Sequence, residues 1–204
     1  LLSIITNNTF SNPDEILPTY TRNLRFRCAV RDDRAGAAGV SWTNEVSFEA
    51  TEEAGPFTVL SPSAGGENWE VGSLVEVTWD VANTDGALVN CQTVDILLST
   101  NNGFDFEVLT AGVPNDGSRM VVVPNKLTDN GREKVRAAEY ILFDMSNEKF
   151  NIVPATAPGF LFDAGPFFQR SCLPDDIVID LTTDSLVGYD SLLTFEVTGL
   201  PMGA

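Results

Sequence analysis

A two-residue rhythm over residues 74–81 sets the fold class open to this chain. Val75 or Leu74, Val77, Trp79 and Val81 alternate with Glu76, Thr78 and Asp80. A β-strand points successive side chains to opposite faces, so this run puts a tryptophan on a buried face with carboxylates and a hydroxyl on the other. Helical periodicity is nearly absent. Short alternating or apolar runs bounded by Gly, Pro, Asn and Asp recur instead, at roughly the 8–12-residue spacing of all-β sandwiches. The run at 57–60 opens the series, and 94–99, 106–109, 118–123, 134–138, 140–143 and 149–153 continue it. Roughly seven or eight such strands make one sandwich of about 100 residues.

Asn101-Asn102-Gly103 and Asn115-Asp116-Gly117 supply residues that tolerate positive φ, and both are expected to turn hairpins. Before this block, 23–30 (Leu24, Phe26 and Cys28 on one face) and 40–50 read as two strands joined by the Gly/Ala-rich stretch 34–39. Two strands seldom stand alone. They are expected to close a preceding domain, completed by an apolar strand at 1–5. After Pro154, residues 155–165 read as a linker, and 177–181 and 192–198 as the first strands of a further sandwich. The expected organisation is therefore 1–54, the C-terminal strands of a preceding β domain; 55–154, one complete β-sandwich; and 155–204, a linker and the start of another.

Composition narrows function. Twelve basic residues stand against 29 acidic ones, a net charge of −17, which would repel nucleic-acid phosphates and anionic membrane surfaces. No apolar run reaches the ~20 residues that span a bilayer, and residues 1–5 lack the basic flank of a signal peptide, so neither nucleic-acid binding nor membrane insertion is expected. Leu1 reads as an internal position of a longer exported precursor, with processing at that point as the alternative. The three cysteines, Cys28, Cys91 and Cys172, form no C-x-x-C pair and suit either buried thiols or an exported protein with a partner elsewhere. There is no histidine. That removes Ser-His-Asp, Cys-His and H-E-x-x-H constellations together. The chain is expected to be non-catalytic. An Asp-Glu acid/base pair of the glycosidase kind is compatible with the composition, but no pair is marked.

Candidate sites are few. Ser99-x-Asn101-x-Gly103-x-x-Phe106 resembles an Asp-box hairpin with Asn in place of Asp; its polar side chain would brace the turn while the aromatic packs beneath, with sugar contact as the alternative. Asp144 and Ser146 precede the last strand, where short polar side chains bond turn amides. Calcium is the sharper alternative there and at the adjacent pairs Asp32-Asp33 and Asp175-Asp176, although the D-x-[DN]-x-[DN]-G loop is missing. Trp79 is expected in the core. Trp42 and Trp69 are expected in the core too, with a sugar-stacking platform as the alternative.

A resemblance joins these runs. Pro62 followed by Gly65-Gly66-Glu67-Asn68-Trp69, Gly72 and Val75-Glu76-Val77-Thr78-Trp79 resembles the opening of bacterial immunoglobulin-like modules. Val94-Asp95-Ile96-Leu97-Leu98-Ser99, Asn102-Gly103, Pro114-Asn115-Asp116-Gly117-Ser118, Val123-Pro124-Asn125 and Phe143-Asp144-Met145-Ser146-Asn147 with Phe150 and Ile152 follow in the same order. With Leu24-Arg25-Phe26-Arg27 and Val30-Arg31-Asp32, the series over about 16–153 is similar to the region after the catalytic domain of secreted reprolysin-like zinc metallopeptidases of the Bacteroidota, and to modules of other large surface proteins. Thr198-Gly199-Leu200-Pro201 resembles the middle of a further such domain. The resemblance implies tandem immunoglobulin/fibronectin-III-like β-sandwiches, one complete central domain flanked by partial ones, at the bacterial cell surface or secreted, often through type IX export. The peptidase signature H-E-x-x-H-x-x-G-x-x-H is absent. What it implies is an accessory or spacer role beside neighbouring domains of the same polypeptide. An adhesin or glycan-binding module using Trp42 or Phe104, binding surface glycan or protein, and a surface-filament subunit completed by its neighbours' strands are the alternatives.

Overall fold

The computed structural model describes residues 18–32, 39–165, 178–196 and 198, and all regular structure among them is β. The expectations at residues 1–5, Asp33, Cys172, Asp175, Asp176 and 199–201 lie outside the described residues.

The first strands form a two-stranded ribbon. β1 (Arg22–Phe26) pairs antiparallel with β4 (Val46–Ala50), and β2 (Ala29–Arg31) with β3 (Val40–Trp42). Leu24 and Phe26 face Phe48 and Val46, the phenyl rings of Phe26 and Phe48 stacking at 5.4 Å. Arg25 and Arg27 reach Glu45 at 3.6 and 3.3 Å on the exposed surface. None of the described residues before Phe57 is buried. The ribbon's apolar face therefore has no core of its own, as a lone hairpin cannot make one.

From Phe57 the chain builds two facing sheets. In the smaller, the order is β10 (Ser118–Val122), β7 (Leu74–Asp80), β5 (Thr58–Ser61), all antiparallel. In the larger it is β6 (Asn68–Glu70), β13 (Phe150–Val153), β11 (Thr128–Ala137), β8 (Thr93–Ser99), β9 (Glu107–Pro114), with β12 (Phe143–Met145) also on β11. β6 runs parallel to β13; the other pairs are antiparallel. Alternation supplies the core. Val59, Val77, Trp79 and Val121 project from the smaller sheet, and Trp69, Val94, Ile96, Leu98, Val113, Val135, Ala137, Phe150 and Ile152 from the larger. Each Val, Leu, Ile or Phe among them contributes about 1.5–3 kcal/mol when removed from water.

Trp79 carries an indole N–H into this core, where it needs an acceptor. Nε1 donates to Asn115 Oδ1 at 2.8 Å, and Asn115 Nδ2 donates to Cys91 O at 2.9 Å and to Thr84 Oγ1 at 3.1 Å. Asn115 opens the Asn115-Asp116-Gly117 turn, which was expected to close a hairpin. It instead carries the chain from β9 in one sheet to β10 in the other. The Asn101-Asn102-Gly103 turn does join paired strands, with φ of 61° at Asn102 and 88° at Gly103.

Four other expectations are corrected. Residues 155–165, read as a linker, contain β14 (Gly159–Gly165), which pairs along its length with β15 (Asp180–Leu186). Gly and Pro masked the alternation of Phe160 and Phe162 with Leu161 and Asp163. Leu161 and Leu186 on one face of this hairpin pack against the sandwich core. Phe160 and Phe162 on the other lie beside Tyr189 and Phe195, with ring centroids 5.5 and 5.2 Å apart. No strand forms at 192–196, and the strand expected at 177–181 begins at Asp180. The strand expected at 140–143 starts only at Phe143, because Ala137 N donates to Leu142 O and closes a turn first.

Gly131 permits the β11–β13 contact. A Cβ built there would lie 2.8 Å from both the carbonyl oxygen and a ring carbon of Phe150, and Phe150 is itself packed on Trp69 with centroids 4.2 Å apart. Gly131→Ala is expected to lose about 1–3 kcal/mol in urea denaturation, since backbone oxygen cannot swing aside. An unchanged midpoint would mean that β13 can shift away without loss.

Candidate functional site

A cluster of polar side chains lies around the β8–β9 turn and the outer face of β11. Ser99 Oγ donates to Asn101 Oδ1 at 2.9 Å and accepts from Gly103 N at 2.9 Å. Asn101 Oδ1 also accepts from Asp105 N at 3.0 Å, and its Nδ2 donates to Asp105 Oδ2 at 3.1 Å. Beneath the turn, Gly103 sits against Met145 and Phe106; a Cβ would come within 2.9 Å of the Met145 methyl. Ser99 and Asn101 thus spend their polar atoms on the turn itself, while the Phe104 ring at its tip is 90% exposed.

β11 contributes three cations to this outer face, at every second position. Arg132 Nη1 donates to the carbonyls of Ser146 and Asn147 at 2.7 Å each, and Nε to Asn102 Oδ1 at 3.0 Å. Lys134 Nζ lies over the rings of Phe106 and Phe143, 4.8 and 4.5 Å from their centroids, a cation–π clamp. Burial lowers both the Arg132 and Lys134 pKa values. Arg136 pairs with Asp95 at 3.0 Å, and Asp95 Oδ1 accepts from Gly112 N at 3.0 Å where β9 bulges.

Asp144 and Ser146 bind backbone. Asp144 Oδ2 accepts from Val59 N at 2.7 Å, fastening β12 to β5 in the opposite sheet. Burial raises its pKa against the lowering effect of bonds from Val59 and Met145. Ser146, fully buried, accepts from Glu133 N at 3.1 Å through Oγ and donates its own N–H to Glu133 O at 2.8 Å. Asp32 Oδ1 accepts from Gly39 N at 2.6 Å at the far end of the ribbon. Among the described residues no three His, Cys, Asp or Glu side chains come together in a way that could hold a metal ion.

The aromatic candidates separate. Trp69 and Trp79 are buried, whereas Trp42, for which the core was expected, is 59% exposed on β3 because no described residue packs over the ribbon. Cys28 is exposed and Cys91 buried, its thiol pKa raised by burial.

A cleft of about 500 Å³ opens where β9 and β10, the outer strands of their sheets, approach the β14–β15 hairpin. Leu109, Met120 and Leu161 contribute apolar lining, and Arg119, Asp163 and Asp184 charge. Glu107 and Lys126, also in its wall, pair with each other. The separate runs that meet in this cleft carry no common motif, so sequence spacing offered no signal for it. Asn115 and Arg132 were likewise overlooked, although an Asn at the start of an Asn-Asp-Gly turn is a cue for a bonding side chain.

No protein-family model matches this chain, and no curated protein matches it. The turn chemistry is tested directly. Asn101→Ala removes an acceptor used twice and should lower stability by about 1–2 kcal/mol in thermal or urea unfolding, while Asn101→Asp keeps that acceptor but sets a second carboxylate beside Asp105, so most of the stability should return only when Asp105→Asn is combined with it. Unchanged stability in Asn101→Ala would show that Asn101 braces nothing.

Proposed function

We propose that this chain is a non-catalytic accessory or spacer segment of a larger secreted or cell-surface bacterial protein, built of immunoglobulin-like sandwiches. The observation that carries the reading is the docking of the β14–β15 hairpin: Leu186 is buried in the sandwich core, and Leu161 packs beside it. A Cβ at Gly72, whose φ is +83°, would meet Leu186 Cδ1 at 2.8 Å. The positive-φ turn between β6 and β7 leaves the space into which Leu186 fits. Elements joined through a buried leucine, rather than a solvated linker, hold the direction of the following chain.

Further support comes from the strand order. β5–β7–β10 facing β6–β13–β11–β8–β9, with β6 added in parallel to the last strand, suits an immunoglobulin-like topology. The motif residues Ser99, Asn101, Gly103, Phe106, Trp79, Asp144 and Ser146 all serve packing or backbone bonds, which favours scaffolding over chemistry. A parent resembling the reprolysin-like zinc metallopeptidases of the Bacteroidota rests on the sequence resemblance, and the exposed ribbon β1–β4 fits the closing strands of a domain before the sandwich.

Leu186→Asp puts a charge where apolar contacts are needed. It is expected to lower the unfolding midpoint and to broaden the solution-scattering distance distribution of the whole chain as the hairpin swings free. An unaltered profile would remove the rigid-spacer argument, and steady turnover of a peptide or glycoside by the purified chain would overturn the non-catalytic reading outright.

A second reading, a glycan-binding module, is favoured by the exposed rings of Trp42 and Phe104. It predicts saturable polysaccharide binding that Trp42→Ala weakens; flat titrations across a glycan array would dismiss it.

A further inference from the structure

Glu133 is fully excluded from solvent, and among the described residues neither of its carboxyl oxygens has a hydrogen-bond partner. It occupies a core-facing position of β11, in line with the buried Gly131, Val135 and Ala137. Buried polar groups are nearly always bonded, and a buried charge is nearly always paired, so this carboxyl is an exception that calls for a reason.

Its neighbours in sequence cannot neutralise it. Arg132, Lys134 and Arg136 alternate to the outer face, where the carbonyls of Ser146 and Asn147, the rings of Phe106 and Phe143, and the Asp95 carboxylate hold them. Around the core, β8 presents Leu98 directly opposite Glu133, with Ile96 and Val94 beyond it. β5 presents Val59, β7 Val77 and Trp79, β10 Val121, β6 Trp69, and β13 Phe150 and Ile152. Elsewhere among the described residues, the titratable groups with buried atoms near the core elements are Asp144 on β12, the Cys91 thiol, and Glu67 ahead of β6, whose Oε2 is buried without a partner. None of these is a cation. Two are carboxyls, which would oppose a negative charge on Glu133 rather than balance it.

We propose that Glu133 makes the sandwich a pH-responsive unit, closed while Glu133 is the neutral acid and loosened at β12 when Glu133 gives up its proton to solvent. The site of loosening follows from how the strand is held. On one side β11 is bound to β8 through six register pairs. On the other, β12 contributes three, Lys134↔Met145, Val135↔Asp144 and Arg136↔Phe143, followed by the clasp of Ser146 on the Glu133 backbone. Release of β12 is the shorter route for water to a new carboxylate, because it breaks fewer backbone bonds and leaves the central ladder intact.

Burial pushes the Glu133 pKa well above the usual carboxylate range. The unfolded chain ionises first as pH rises, near pH 4.3. Stability from the neutral acid is therefore complete below that pH and declines upward until the folded state also ionises. Asp144, raised in the same sense, adds a smaller decline, so the two must be separated.

The test follows thermal unfolding of the full chain from pH 5 to pH 9 for wild type, Glu133→Gln, Glu133→Met and Asp144→Asn, with amide exchange read at 143–147. Wild type should lose ~5 °C or more per pH unit over part of this range. The two Glu133 variants should flatten that slope whatever their absolute midpoints, while Asp144→Asn keeps most of it. Corrected for the intrinsic rate, exchange at 143–147 should rise about tenfold per pH unit in wild type, relative to Glu133→Met, with β8 unchanged. Parallel slopes in wild type and both Glu133 variants would overturn the proposal, as would flattening by Asp144→Asn alone or exchange that rises equally in β8.

Discussion

Two sheets can face each other only where the chain crosses between them without leaving polar groups dry, and in this sandwich Asn115 meets that requirement. Its side chain accepts the indole N–H of Trp79 and donates to the Cys91 carbonyl and the Thr84 hydroxyl, so one amide satisfies groups from three separate stretches of chain. Without it, the largest aromatic of the smaller sheet would bury an unpaired donor, at a loss of about 1–3 kcal/mol. Trp79 can then sit on the inner face of β7, with Val77 beside it, and the larger sheet closes over both. The turn that looks like a hairpin in sequence is a crossing for the same reason: its first residue is needed inside.

The all-β class was legible because period two is a local property. Val77 and Trp79 against Glu76, Thr78 and Asp80 place themselves without reference to any other strand. Partnership was less legible, since nothing in Asn115-Asp116-Gly117 states which sheet the next strand joins. β14 was hidden differently: Phe160, Leu161, Phe162 and Asp163 alternate, but Gly159, Gly165 and Pro158 around them read as linker chemistry. β6 is three residues long and parallel to β13, too short to register a pattern. The turn at Ser99, Asn101, Gly103 and Phe106 was readable because its bonds span only a few positions. The clamp of Lys134 between Phe106 and Phe143 was not, because it depends on three strands coming together.

Glu133 marks the limit of such reading. In Gly131-Arg132-Glu133-Lys134-Val135-Arg136 the charged residues look like one solvated run, and average behaviour places Glu at the surface. The alternation was present all along, with Gly131, Val135 and Ala137 defining an inner face that includes position 133. Composition argued for exposure and periodicity for burial, and periodicity prevailed. A strand fixed by six pairs on one side cannot rotate a single residue outward without moving its whole register.

That rigidity also explains why the strain at Glu133 persists. Turning the carboxyl out would require β11 to slip by one residue, which would send Arg132, Lys134 and Arg136 into the core and Val135 to solvent. Three buried cations are far worse than one buried neutral acid, so the register is secure while Glu133 holds its proton. The tension is transferred to the weaker edge of the strand, the three pairs of β12 and the Ser146 clasp. β12 is tied in turn to the opposite sheet through Asp144 and Val59. Ionisation at one core position therefore bears on the segment that links the two sheets, while β8, β11 and the Trp79–Asn115 crossing retain their bonds.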